Sequence, residues 1–112
     1  VWLINTGWTG GPYGVGHRIL LQHTRAMIEA ARTGLLNPNY SYTDYHIHSV
    51  FGIAQPRTCP GVPDSILSPR QTWKDDEAFY KQAYKLARAF HSNFKQFEDK
   101  VSKEILSGAP PL

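Results

Sequence analysis

The densest chemical signal in this chain is a glycine-rich run that ends in a basic pair. Five of the nine glycines fall within Gly7-Trp8-Thr9-Gly10-Gly11-Pro12-Tyr13-Gly14-Val15-Gly16, and His17-Arg18 follows at once. Glycines admit positive φ and let backbone N–H groups come close to an anion. An Arg placed next adds charge and a planar fork suited to phosphate oxygens or to the face of a base. The run is not a Walker A loop, which needs G-x-x-x-x-G-K-[ST], because His17-Arg18-Ile19 follows Gly16. Nor is it G-x-G-x-x-G, since Gly11-x-x-Gly14-x-Gly16 runs the other way. On turn chemistry alone the plainer reading is a tightly turned loop packed on a neighbouring domain.

A second cluster is Asp44-Tyr45-His46-Ile47-His48. In a strand, residues 44, 46 and 48 share one face, a spacing compatible with a metal such as zinc. Only three ligands are close and no fourth is evident, so a polar hairpin face is the favoured reading. His23 and His91 stand alone. Cys59 lies between Thr58 and Pro60 with no His or Asp partner, and reads as structural rather than nucleophilic.

The elements that must position these groups are a mixture of α and β. Residues 1–5 form a short apolar run that reads as a buried strand, and 17–21 reads as a short strand or extended segment. A helix is expected over 24–33: Thr24 can cap it, Ala26, Met27, Ala30 and Ala31 favour it, and Gly34 is placed to stop it. Residues 37–50 form a polar, Tyr-rich loop or hairpin, and 51–55 a possible short strand. Pro56, Pro60, Pro63 and Pro69, four of the eight prolines, predict an extended stretch over 56–70.

The clearest element is an amphipathic helix over about 75–100. Phe79, Ala83, Leu86, Phe90, Phe94, Phe97 and Val101 are spaced 4, 3, 4, 4, 3 and 4, one seam of a helix. Asp75, Asp76 and Glu77 put negative charge at its N-terminus, where the helix dipole favours it, and Glu77 pairs with Lys81 at i,i+4. Gly108, Pro110 and Pro111 lie beyond it. Four aromatics on one stripe need a cover, and this chain has few elements large enough to supply one. Lys81, Lys85, Arg88 and Lys95 are most simply the solvated face of the same helix.

Composition narrows the class. The 112 residues suit one domain. Twelve Lys and Arg against nine Asp and Glu leave 12 − 9 = +3. Hydrophobic residues make up 41%, aromatics 12% and charged residues 19%, a balance that excludes a disordered tail. A charge of +3 spread along the chain does not indicate a nucleic-acid binder, and the aromatics sit on helix-core spacing instead of lining a basic groove. The single Cys rules out an internal disulfide framework and fits a reducing compartment. The longest apolar stretch, Ile19-Leu20-Leu21, is far too short to span a bilayer. The opening Val1-Trp2-Leu3-Ile4 has neither an initiating Met nor a basic leader, and reads as a strand inside a longer protein.

As whole strings, these residues resemble the C-terminal region of the ATP-dependent phosphoenolpyruvate carboxykinases. The resemblance starts with VWLINTGWTGGPYGVGHR (residues 1–18) and continues through Thr24-Arg25-Ala26-Met27-Ile28. It returns at Cys59-Pro60-Gly61-Val62-Pro63, Ile66-Leu67-Ser68-Pro69-Arg70 and Thr72-Trp73, then in Leu86-Ala87-Arg88-Ala89-Phe90 and Asn93-Phe94. It implies a fragment: the C-terminal portion of the nucleotide-binding domain of a cytoplasmic gluconeogenic enzyme. That enzyme converts oxaloacetate and ATP to phosphoenolpyruvate, carbon dioxide and ADP.

The family's phosphate loop with its Lys, its divalent-metal ligands for Mg2+ or Mn2+ and its oxaloacetate-binding Arg residues lie upstream of the matching region. By the resemblance this piece is therefore inert alone, packs on the rest of its own catalytic domain, and binds neither nucleic acid nor membrane. It also implies that Arg18, Ile19 and Thr24 contact ATP. An Arg can stack on adenine or bond ribose and phosphate oxygens. Ile19 can offer backbone groups and an apolar wall, and a Thr hydroxyl can bond the edge of the base. Without the resemblance, Arg18 would read as a surface charge, Ile19 as core and Thr24 as an N-cap. The family commonly has Gly-Lys-Arg where this chain has Gly16-His17-Arg18, so His17 would carry that charge only when protonated. Residues 37–49 form a longer segment than in the family, and no role is carried over to it. The rival reading is a non-catalytic module that kept this fold segment and binds nucleotide or a partner protein.

Overall fold

A computed structural model describes residues 1–37 and 45–111. The fold is mixed α and β, with two antiparallel ribbons and helices between and after them. Strands β1 (Trp8–Thr9) and β2 (His17–Arg18) pair, with Trp8 opposite Arg18 and Thr9 opposite His17. Helix α1 (Leu21–Arg32) follows directly. Strands β3 (Tyr45–Ile47) and β4 (Ala54–Pro56) make the second ribbon, with His46 opposite Gln55. Short helices α2 (Asp64–Leu67) and α3 (Pro69–Thr72) lead to the long α4 (Asp76–Phe94), a 3-10 segment (Lys95–Lys100) and α5 (Lys103–Leu106).

Several sequence expectations change. Residues 1–5 form no strand and are exposed, Val1 and Leu3 most of all. A strand needs a neighbour for its N–H and C=O groups, and no described strand lies beside this one. Helix α1 begins at Leu21, ahead of the expected 24, so Thr24 is a residue of its first turn and not its cap. Leu20 holds the N-cap position without a side-chain bond, and Thr24 N–H already donates to the Leu20 carbonyl at 3.2 Å. The 56–70 stretch is not simply extended. Pro63 stands at the N-cap of α2 and Pro69 opens α3, positions where the fixed φ of proline starts a helix and its missing N–H costs nothing. Finally, regular α-helix ends at Phe94 and the last turns tighten into the 3-10 segment.

Two small cores hold these pieces. In the first, Ala30 of α1 packs with Leu36, Cys59 and Val62, flanked by Ala26, Met27 and Ile66. The chain comes close here: a Cβ on Gly61, whose φ is +79°, would lie 3.3 Å from Ala26 Cβ. Tyr45 OH donates to the Leu36 carbonyl and ties β3 to this core.

In the second core, Val50, fully buried at the turn between β3 and β4, meets Ala83 and Ala87 of α4. The turn is built on His48. Its Nδ1 accepts from the N–H groups of Val50 at 3.1 Å and Phe51 at 3.2 Å, while the His48 backbone N–H donates to the Ile53 carbonyl at 2.8 Å. The first residues of the expected 51–55 strand are thus turn, and the ladder starts at Ala54. Asp75 caps α4 by accepting from Glu77 and Ala78 N–H, 2.9 and 3.3 Å away. The buried face of α4 is Phe79, Ala83 and Ala87, while Leu86, Phe90 and Phe97 of the predicted seam stay exposed.

Candidate nucleotide-binding site

The glycine-rich run is the loop of the first ribbon. Val15 and Gly16 N–H both donate to the Pro12 carbonyl, at 3.0 and 2.9 Å, folding the loop over. Gly16 is fixed by close approach: a Cβ there would stand 2.4 Å from Gly11 O and 2.6 Å from Thr9 O. Gly10 leaves the strand at φ +82° and its N–H donates to Thr72 Oγ1 at 3.3 Å. Thr72 in turn donates to the Pro69 carbonyl at 2.6 Å, so α3 tethers the loop.

The three predicted residues lie on either side of the β2–α1 junction in different environments. Arg18 is exposed and has no carboxylate partner among the described residues. Its guanidinium carbon sits 5.8 Å from the centre of the Trp8 ring. Ile19 is half-buried, and its N–H is committed to the Gly7 carbonyl at 3.0 Å, which extends the ribbon by one bond. Of the backbone groups expected to reach a ligand, that N–H is therefore removed. Thr24 is buried, and its Oγ1 has no hydrogen-bond partner. A hydroxyl left unpaired in the interior costs about 1–3 kcal/mol. The described residues supply it no partner.

The residue types fit a nucleoside triphosphate. An unpaired guanidinium suits anionic oxygens or the face of a purine, and an unsatisfied hydroxyl can serve the edge of a base. Sequence reasoning missed Trp8 and Thr72. The pairing of Trp8-Thr9 with His17-Arg18 across the glycines is the signal that would have exposed Trp8. Clefts of about 350 and 220 Å3 open beside the β3–β4 hairpin, and Arg18, Ile19 and Thr24 line neither.

The ligand trio at 44, 46 and 48, the less favoured reading, gains no support. Asp44 lies outside the described residues, and the Nδ1 lone pair of His48 is already engaged by two N–H groups. No group of three His, Cys, Asp or Glu able to hold a metal occurs among the described residues. Burial, and then the nearby His46, push the His48 pKa below its ordinary value. Burial likewise raises the Cys59 thiol, which points to the Pro60 carbonyl at 3.7 Å inside the first core, as a structural cysteine would. No described helix is long and apolar enough to cross a membrane.

Residues 1–65 match the family model described as phosphoenolpyruvate carboxykinase, and the chain belongs to that family. Curated relatives place the likeness on its ATP type. The phosphoenolpyruvate carboxykinase (ATP) of Flavobacterium johnsoniae is 54% identical over 110 residues, 98% of this chain. Those of Christiangramia forsetii and Thermus thermophilus are 50% and 48% identical over the same length. The chain spans only 20% of each of these relatives.

Proposed function

We propose that this chain is the C-terminal part of an ATP-dependent phosphoenolpyruvate carboxykinase and supplies the adenosine side of its ATP site. The observation that carries the reading is the exposed guanidinium of Arg18, without a carboxylate partner among the described residues and held at the end of a glycine-laced ribbon in a chain of this family. Arg18 engages the nucleotide by stacking or by bonds to its oxygens. Thr24 closes the same site from the start of α1, and Ile19 adds an apolar wall.

In the complete enzyme, loss of carbon dioxide from oxaloacetate leaves an enolate, and the γ-phosphoryl group of ATP passes to its oxygen, giving phosphoenolpyruvate and ADP. The lysine of the phosphate loop, the Mg2+ or Mn2+ ligands and the oxaloacetate-binding arginines are assigned to the remaining part of the enzyme. This chain contributes binding and orientation, and by itself it turns nothing over. The exposed seam of α4 packs on the rest of the same catalytic domain. The setting is cytoplasmic and gluconeogenic.

The test is Arg18→Ala in the intact enzyme. A charged hydrogen bond is worth about 1.5–3 kcal/mol, so the KM for ATP is expected to rise about tenfold or more with the thermal midpoint unchanged. An unchanged KM for ATP removes Arg18 from the site. Oxaloacetate decarboxylation by the isolated chain above the buffer rate would contradict its role as a binding part only.

A further inference from the structure

We propose that Trp8 is a positioning residue for the nucleotide: its indole holds the Arg18 guanidinium by one face, so that the other face is presented to the base. The inference rests on the reading of Arg18 as an ATP ligand. Three observations lead to it. The register of the first ribbon sets Trp8 directly opposite Arg18, so their side chains leave the same face of the two strands. The guanidinium carbon lies 5.8 Å from the indole centre, within cation–π range, and no carboxylate competes for it among the described residues. Tyr13, from the tip of the glycine loop, meets the Trp8 ring edge-on with centroids 5.1 Å apart and an interplanar angle of 74°.

The result is a row of three side chains, Tyr13 against Trp8 against Arg18, standing on one short ribbon. Each member restrains the next. An arginine on an exposed strand end would otherwise sample many rotamers, and every one lost on binding weakens affinity. The indole removes part of that loss beforehand. The glycines serve the same arrangement, since the Pro12 turn that brings Tyr13 back over Trp8 closes through Gly16, where no side chain fits. A planar guanidinium has two faces, and with one against the indole the other is suited to a planar purine. The occupant of that face is the base of a purine nucleotide.

The test is a double-mutant cycle on the intact enzyme, reading the KM of ATP. A half-exposed cation–π contact corresponds to about two- to fivefold in affinity, so Trp8→Leu is expected to raise the KM of ATP by that factor. The KM of oxaloacetate stays where it was. Trp8→Phe, which keeps an aromatic face, restores the value to within about twofold of the parent. In the Arg18→Ala background Trp8→Leu adds nothing, because the group it positions is gone. If Arg18→Ala itself leaves ATP untouched, the assignment of the nucleotide site fails, and this inference with it. If Arg18→Ala weakens ATP while Trp8→Leu has no effect, or has the same effect in both backgrounds, only the role given to Trp8 is overturned. A Trp8→Leu protein with a lowered melting temperature is compared through Trp8→Phe: a full loss of ATP affinity in that folded variant also contradicts positioning by an aromatic face.

Discussion

At the scale of single residues, the informative groups are those whose polar atoms are left unmatched or doubly used. Thr24 Oγ1 is buried without a partner among the described residues. Replacing it by the isosteric Thr24→Val removes an unsatisfied hydroxyl while keeping the volume. The nucleotide-free enzyme is expected to be as stable as the parent or more stable by about 1 kcal/mol, and ATP to bind about fivefold more weakly. Thermal midpoints with and without ATP check both. A structural role would instead lower the nucleotide-free midpoint.

His48 is the opposite case, with one lone pair serving two N–H groups. Its folded pKa is depressed by burial and then by His46, so the neutral form belongs to the fold. The stability it contributes is present above the unfolded value of about 6.5 and is lost as pH falls below it. His48→Asn keeps a side-chain acceptor for the turn without the titration. The acid-side drop in midpoint is therefore expected to be smaller in that variant, as melts at a series of pH values would show. The sequence favoured a polar hairpin face for residues 44–48, and Tyr45–Ile47 do form one strand of a hairpin. A shared strand face is legible from spacing, whereas a backbone turn that consumes the imidazole lone pair is not.

At the scale of elements, what could be read in advance depended on period and on partners. Helix α4 was legible because its apolar spacing runs unbroken and Asp75 marks its start, yet the buried face turned toward Ala87, which the spacing had not singled out. The two-residue strands of the first ribbon carry no periodicity at all, and only the closing bonds of the glycine loop define them. The short helices after Pro63 and Pro69 were read as extended because proline both stops and starts helices.

Two expectations belong to this scale. Gly16→Ala forces a methyl to within 2.4 Å of a backbone oxygen, so the ribbon must open. The expected cost is about 2 kcal/mol, with a raised KM for ATP as Arg18 shifts. Asp75→Ala removes the cap of α4 at a cost of about 1 kcal/mol, with ATP binding unaffected because α4 lies outside the site. Denaturant midpoints and ATP titrations distinguish the two.

At the scale of the whole molecule, the cores are too small for the surface they leave. The radius of gyration is 15.4 Å, against about 13 Å for a compact domain of this length. Trp2, Leu3, Leu20, Leu21, Leu86 and Phe90 are all exposed. Such exposure supports the proposal that this chain packs on further parts of the same enzyme. The charge of +3 then describes one part of a surface and not the partners of the whole.

The central claim is that the adenosine side of the ATP site lies at the first ribbon and the start of α1. Photolabelling the intact enzyme with 8-azido-ATP, followed by peptide mapping, addresses it directly. The label is expected within residues 8–24, suppressed by excess ATP. Label confined to peptides outside this chain, and equally suppressed by ATP, would contradict it.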